Sequence, residues 1–268
     1  MTTAADLVVT TLGPCRLESP LKSQLESRQT TVHSVGETDR VLFHDTVNLI
    51  RESGCDLDSL PSFEPAGPRQ KIFFDTAKMR VGIVTCGGLC PGINNVIRGI
   101  VMELSFHYGV QRIYGFRNGY QGFVGAMKIA AVVAKRDGNI AVVGIPKTID
   151  NDIPSIDQSF GFQSAFGEAT KSIQSAHVEA KASPNGVGLV KLMGRHSGFI
   201  ACYASLAVPD ANSVLIPEVP FALDGPNGLL EHLLTRVRKS GHAVIVAAEG
   251  AGQELIANEA TGQPRSFQ

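Results

Sequence analysis

The sequence predicts an α/β fold built on a doubly wound, mainly parallel sheet. Short apolar segments typical of strands alternate with longer segments in which apolar residues recur at helical spacing. The chain has 28 glycines among 268 residues, many of them placed between these segments. Strands that alternate with helices favour parallel pairing, with helices covering both faces of the sheet.

The regular alternation begins near residue 80. The predicted strands cover 81–85, 110–116, 140–145, 187–192, 214–216 and 242–248, with 71–74 as a possible edge strand. The predicted helices cover 93–104, 125–135, 160–180, 197–207 and 229–239. Residues 1–70 are polar, rich in proline and poor in apolar runs, so we expect an irregular N-terminal extension before an α/β domain at 71–268.

Composition narrows the classes of function. A net charge of −1 offers no basic excess for nucleic acid or an acidic membrane surface. No apolar run approaches the roughly 20 residues that a membrane-spanning helix needs. The first residues lack a secretory signal pattern, so we expect a cytoplasmic protein, with a plastid location left open.

The five cysteines do not suggest a disulfide framework, because their number is odd and their spacing wide. Cys86 and Cys90 lie four residues apart, but no second Cys or His pair follows at zinc spacing. We interpret these two as small residues at a tight turn rather than as metal ligands.

The heptapeptide 146–152, Pro-Lys-Thr-Ile-Asp-Asn-Asp, carries the clearest chemical signal. It follows the predicted strand 140–145, and ligands of open α/β sheets bind at the carboxyl ends of strands. Carboxylates two residues apart, such as Asp150 and Asp152, can divide proton transfer from cation binding. Lys147 beside them suits phosphate, so the segment indicates phosphoryl transfer. The simpler alternative is an Asp-Asn-Asp turn that caps a helix.

A glycine-rich loop at 86–92 lies between a predicted strand and a predicted helix. Its glycines would let the backbone approach an anion, and the helix start offers free N–H groups. It is neither a Walker loop nor a dinucleotide fingerprint, because the spacing of Gly87, Gly88 and Gly92 fits neither. Plain turn geometry is an equally good explanation of the glycines.

Four segments together resemble the phosphofructokinase family, and they occur in the family's order. They read CGGLCPGINNVIRG at 86–99, GIPKTIDNDI at 144–153, KLMGRHSGFIA at 191–201 and VIVAAEGAGQ at 244–253. The resemblance covers about residues 67–253. Within the family, these segments look most like those of the plant-type, ATP-dependent 6-phosphofructokinases. It implies a glycolytic, allosteric kinase that phosphorylates fructose 6-phosphate with ATP and Mg²⁺, in the form of a homo-oligomer.

The resemblance also implies roles for individual residues. Asp150 resembles the base that takes the proton from the 1-hydroxyl of fructose 6-phosphate, and Arg195 resembles the group that neutralises charge on the transferring phosphoryl. The implied substrate contacts are Thr148, Ile149, Asp150, Met193, Gly194, Arg195 and Glu249. The implied nucleotide contacts are Gly87, Gly88 and Lys147, with Asp152 as the magnesium ligand. Lys147 also occurs in pyrophosphate-dependent members, so the donor stays open between ATP and pyrophosphate.

Two departures from the family weaken the expectation of activity. The family's Gly-Gly-Asp-Gly nucleotide loop is absent, since residues 119–123 run almost directly into the predicted helix at 125–135. We place a seam near Val124, with on the order of 60 residues missing, enough to hold a βαβ unit. Beyond Gln268, family members continue into a further lobe that grips the 6-phosphate.

These departures leave rival functions open. One is a catalytically impaired or inactive member that acts at most as a subunit-binding or regulatory protein. Another is a nicotinamide oxidoreductase, which fits the fold class but lacks the expected acidic ribose ligand. Lone Arg195 could also be a surface ion pair, and His196 a helix-start residue.

Overall fold

The computed structural model describes residues 4–22, 34–54, 56–116, 124–135, 139–154 and 156–255, with side chains of the helix at 124–135 described from residue 128 onward. The described residues therefore exclude Cys55, the segment 119–123 before the predicted seam, and residues 256–268 of the predicted domain. The chain forms two compact units, Met1–Thr85 with Val96–Val143, and Cys86–Asn95 with Gly144–Gln268. The predicted division at residue 70 stays a prediction.

The first unit begins with short elements, in keeping with an irregular extension. Strand β1 (Leu17–Glu18) pairs antiparallel with β4 (Lys71–Ile72), and β2 (Val41–Leu42) pairs antiparallel with β3 (Ser62–Phe63). Helix α1 covers Val47–Glu52, and two 3-10 turns cover Ala4–Leu7 and Leu57–Ser59. Arg69 ties this region together, because its guanidinium donates to the carbonyls of Gly36 and Pro65 at 2.6 and 3.2 Å. A single polar side chain thus links separate parts of this region.

The first unit also contains one parallel pair of strands. Strand β5 (Arg80–Ile83) pairs with β6 (Arg112–Gly115), as the alternating pattern predicts. The chain between them forms helix α2 (Ile93–Met102), which continues into a π-helical turn at Glu103–His107. Helix α3 (Val124–Lys135) follows, close to its predicted bounds.

The second unit contains a parallel three-stranded sheet. Its order is β7 (Gly186–Leu192), β9 (His242–Ala248) and β8 (Ser213–Leu215), so β9 is the central strand. A central parallel strand is buried on both faces, which explains the nearly continuous apolar run of β9. The register sets Gly186 opposite His242 and Leu192 opposite Ala248, so β7 and β9 end at the same level.

Helices cover both faces of this sheet, as predicted. Helices α4 (Phe162–Ala182) and α5 (Phe199–Ala207) share one core cluster with the sheet, and α6 (Leu229–Ser240) shares another. In α4 the buried residues Phe162, Ala169, Ile173 and Ala180 recur at helical spacing and form one apolar stripe. Helix α6 ends at Gly241, whose φ of 77° is the left-handed C-terminal cap that glycine favours. The α/β fold class with parallel sheets is thereby confirmed.

The predicted strand at 140–145 is wrong for this structure. The segment has no regular structure, and its apolar side chains Ile140, Val142, Val143 and Ile145 are 39% to 85% exposed. An apolar run becomes a strand only where a neighbouring strand supplies hydrogen bonds and cover. Across the described ranges, the paired strands form separate sheets of two or three strands, and none of them includes this segment.

None of the helices within the described ranges combines the length and apolar character that a bilayer crossing requires.

Candidate active site

The ends of β7 and β9 bring two predicted site segments together in the second unit. The N–H of Glu249 donates to the carbonyl of Leu192 at 2.8 Å, and the N–H of Gly250 donates to the carbonyl of Gly194 at 3.1 Å. Met193 and Arg195 are exposed beside a half-buried Glu249. Because parallel strands end at one edge of a sheet, residues 56 and 57 positions apart become neighbours in a site.

Two glycines allow this close contact between turns. Gly194 has a φ of 127°, and a Cβ there would collide with the carbonyl oxygen of Ser197. A Cβ on Gly250 would collide with the carbonyl oxygen of Arg195. Backbone therefore packs directly on backbone, which holds the turn that carries Arg195 in one position.

Residues 148–152 form a second turn, which we call the acceptor turn. The N–H of Asp150 donates to Oγ1 of Thr148 at 3.1 Å. Asn151 has a φ of 57°, a left-handed conformation that asparagine tolerates better than most residues. Its Oδ1 accepts from the N–H of Ser159 at 2.7 Å, which fastens the turn to the chain ahead of α4.

The carboxyl group of Asp150 combines burial with an unused oxygen. Its Oδ1 is buried and has no hydrogen-bond partner among the described residues. Burial raises the pKa of Asp150, the negative charges of Asp152 and Glu249 raise it further, and the positive charges of Arg195 and His196 oppose this rise. A carboxylate that is poorly solvated and free to accept a proton has the properties of a general base.

The other predicted acceptor-side residues have different settings. Asp152 is exposed, whereas Ile149 packs against the core cluster of the second unit. The charges that act on Asp150 show that Asp152, Glu249 and Arg195 each lie within electrostatic reach of its carboxyl group. The substrate and metal roles of these residues stay predictions.

The glycine-rich loop meets Lys147 in the same unit. The ammonium of Lys147 donates to the carbonyl of Gly88 at 2.7 Å, while Gly87 has a φ of 84° and presents no side chain to the lysine. Gly87 and Gly88 are both exposed, so an anion could reach the lysine and the loop together. The three predicted nucleotide-binding residues thus form one cluster.

Cys90 anchors this loop. Its buried thiol donates to the carbonyl of Phe160 at 3.1 Å, and Gly161, with a φ of 86°, leaves room for the sulfur. Burial raises the pKa of Cys90, partly offset by the charge of Lys147. A protonated, hydrogen-bonded thiol supports the interpretation of Cys90 as a packing residue at a tight turn.

Sequence reasoning missed three residues that support the site. Ser197 donates from Oγ to the carbonyl of Asp150 at 2.9 Å, and Asn151 fastens the acceptor turn. Glu218 accepts from the N–H of Gly198 at 2.8 Å and so caps the start of α5. Ser197 and Asn151 lie within two of the segments that resemble the family, but only the distances in the structure show which groups they hydrogen-bond. The sequence around Glu218 gave no indication of its role.

The donor set suits a magnesium ion that is shared with a substrate. Within the described residues, no cluster of three or more His, Cys, Asp or Glu side chains could hold a metal on its own. Magnesium commonly uses one or two carboxylates and completes its shell with water and substrate phosphates. The exposed carboxylate of Asp152 meets that requirement.

Comparison with protein families gives a match over most of the chain. The sequence model of the family described as phosphofructokinase matches residues 80–126 and 124–264, and the two matched stretches overlap at 124–126. These stretches contain each of the predicted site residues.

Curated relatives extend this match. An ATP-dependent 6-phosphofructokinase of Amycolatopsis methanolica is 49% identical over 319 residues, which covers 97% of this chain and 69% of the relative. The ATP-dependent 6-phosphofructokinase 7 of Arabidopsis thaliana is 43% identical over 259 residues, covering 75% of this chain and 53% of the relative. The chain thus spans about half the length of this plant relative. The alignment with the bacterial relative is longer than this chain, so that relative has aligned residues without a counterpart here.

A solved structure supports the fold alone. The pyrophosphate-dependent phosphofructokinase of Marinobacter aquaeolei superposes with a TM-score of 0.55 at 23% identity, over 65% of this chain and 61% of the other.

Proposed function

Because the chain belongs to the phosphofructokinase family, we propose that it transfers the γ-phosphoryl group of ATP to the 1-hydroxyl of fructose 6-phosphate, giving fructose 1,6-bisphosphate. The observation that carries this proposal is the buried, unpartnered Oδ1 of Asp150 beside Arg195. An ordinary structural carboxylate at this depth would have hydrogen-bond partners for both oxygens. A catalytic base instead keeps one oxygen for the substrate.

Asp150 accepts the proton of the 1-hydroxyl as that oxygen attacks the γ-phosphorus. The pKa of Asp150 is raised by burial, which increases its basicity relative to an exposed carboxylate. Thr148 orients the backbone of Asp150 through its hydroxyl and, together with Ile149, lines the path of the incoming sugar.

Arg195 and Glu249 act together with this base. The guanidinium of Arg195 offsets the charge that develops on the transferring phosphoryl group. The Glu249 carboxylate accepts a hydrogen bond from a sugar hydroxyl, and the exposed Met193 with Gly194 forms the wall beside it. The in-register ends of β7 and β9 hold these groups at fixed separations.

Gly87, Gly88 and Lys147 bind the phosphates of the nucleotide, because they place exposed backbone and one ammonium group in a single cluster. Magnesium, held by Asp152 with the nucleotide phosphates, would neutralise phosphate charge during transfer.

A coupled assay with fructose 6-phosphate, Mg²⁺ and ATP tests the activity, and Asp150→Asn is the matched variant that keeps the shape of the base. We expect turnover in the natural chain and its loss in the variant. Equal rates in the two proteins would remove Asp150 from the mechanism, and no turnover at high enzyme concentration would refute the activity.

We also propose ATP rather than pyrophosphate as the donor. The segment 86–92 and the names of the curated relatives support ATP. Replacing ATP by pyrophosphate in the same assay gives a direct comparison. A higher kcat/KM with pyrophosphate would reverse this assignment.

The two-stretch family match supports a rival function, that of an impaired or inactive member that binds other subunits. The stretches meet at 124–126, where the sequence predicts a seam and the loss of the nucleotide loop. Resequencing the transcript across residues 122–127 would establish whether the natural chain has this junction. Calorimetry with fructose 6-phosphate distinguishes a chain that binds without turnover from one that does neither.

Subgroup, assembly and location complete the proposal. We assign the chain to the plant-type subgroup from its motifs, although the bacterial relative is more identical to it than the Arabidopsis relative is. We further propose a cytoplasmic homo-oligomer. Light scattering and cell fractionation test these two assignments.

A further inference from the structure

The hydroxyl group of Ser197 joins the two turns that carry the predicted catalytic groups. Its Oγ donates to the carbonyl oxygen of Asp150 at 2.9 Å, across 47 residues of sequence. Ser197 itself is 4% exposed, so water competes little for this hydrogen bond. Arg195 lies two residues before Ser197 in the chain.

The backbone of Ser197 is held from both sides. Its carbonyl oxygen lies directly against Gly194, where a side chain would collide with it. On the other side, Glu218 accepts a hydrogen bond from the N–H of Gly198 at 2.8 Å. The hydroxyl therefore projects from a rigid support that includes the end of β7 and the start of α5.

The carboxyl group of Asp150 depends on its backbone for placement, because its buried Oδ1 has no partner in the part of the chain that the structure describes. The backbone of Asp150 has two side-chain contacts, its N–H with Thr148 and its carbonyl with Ser197. The Thr148 contact is local to the turn, whereas the Ser197 contact joins the turn to the rest of the site.

We propose that Ser197 is a positioning residue, whose hydroxyl sets the acceptor turn relative to Arg195 so that Asp150 and Arg195 face one substrate. The proposal rests on the function proposed above. A displaced base loses rate far more readily than it loses binding, since reacting atoms need near-contact alignment.

Three variants test this role. Ser197→Ala removes the hydroxyl, Ser197→Cys keeps the size with a weaker donor, and Ser205→Ala is the control. Ser205 lies on α5, and its buried Oγ has no hydrogen-bond partner within the described ranges, so its removal breaks no such contact there. We expect Ser197→Ala to lower kcat about tenfold with KM for fructose 6-phosphate within twofold, as the loss of one aligning hydrogen bond would. The kcat of Ser197→Cys should lie between that of the natural chain and that of Ser197→Ala.

Amide hydrogen exchange supplies a readout that does not depend on turnover. Peptides that contain 148–153 should exchange faster in Ser197→Ala than in the natural chain or in Ser205→Ala, at equal melting temperature. Unchanged exchange in these peptides, or an unchanged kcat with a lowered melting temperature, would overturn the positioning role. If the natural chain has no turnover, the proposed function fails, and the exchange measurement alone decides this inference.

Discussion

The ammonium group of Lys147 donates a hydrogen bond to the backbone carbonyl of Gly88, with 2.7 Å between Nζ and oxygen and 59 residues of sequence between the two. This contact joins the residue just before the acceptor turn to the glycine-rich loop. Lysine has three donors, and Lys147 uses one of them within the described residues, which leaves the other protons of the ammonium for a phosphate.

Replacing Lys147 by methionine should therefore weaken the use of ATP. A charged hydrogen bond contributes about 1.5–3 kcal/mol, so we expect KM for ATP to rise about tenfold or more. Lys171→Met is the control, because Lys171 is exposed on α4 and pairs there with Glu168. Steady-state kinetics at varied ATP checks this, and equal KM values for both variants would contradict it.

Asp150→Asn should remove activity and stabilise the fold near neutral pH. Because the pKa of Asp150 is raised, the folded protein holds this proton more tightly than the unfolded chain does. Stability therefore falls as pH rises from the ordinary carboxyl pKa through the raised one, and the ionised carboxylate costs stability above it. Asparagine carries no charge, so Asp150→Asn does not lose stability in this way as pH rises. The loss of a general base should lower kcat by about a hundredfold or more.

Thermal melts of the natural chain and Asp150→Asn over a range of pH measure this effect. The gain in melting temperature should disappear below the ordinary carboxyl pKa, where both side chains are neutral. A gain that stays constant with pH would mean that burial does not perturb this carboxyl group.

Gly250→Ala should destabilise the protein by about 1–3 kcal/mol, because overpacking a tight site forces the backbone to shift. The new Cβ would meet the carbonyl oxygen of Arg195. Gly167→Ala is the matched control, since a Cβ on this residue of α4 meets nothing within 4 Å. We expect that control to stabilise the helix by about 0.5–1 kcal/mol. Urea titration of both variants gives the free energies of unfolding, and equal changes would contradict the packing argument.

The chain should self-associate or unfold with low cooperativity. Leu189 of β7 and Leu206 of α5 are 68% and 82% exposed, and exposed apolar faces of this kind promote association. Replacing both by lysine should move the protein towards monomer in size-exclusion chromatography with light scattering. Gln174→Lys, at an exposed position of α4, adds charge without removing apolar surface. A soluble natural monomer with one sharp unfolding transition would refute the prediction.

Much of the second unit could be predicted from sequence. The predicted strand 242–248 has the observed bounds, and the long helix and the strand 187–192 differ from theirs by one or two residues. These elements are encoded locally, by apolar spacing along α4 and by an unbroken apolar run in β9. The roles assigned to residues 146–152 also come from residue types alone, and they stay predictions.

Tertiary structure decided which of these local signals were realised. Residues 140–145 are as apolar as β9, yet they form no strand in the structure, because a strand requires a neighbour that residue pattern cannot specify. The contacts of Ser197 with Asp150 and of Lys147 with Gly88 likewise join residues far apart in sequence. Local sequence specifies elements such as α4 and β9 and the chemical groups that they carry, since these depend mainly on near neighbours. The pairing of strands and the position of the base depend on distant partners, and only the folded chain brings those partners together.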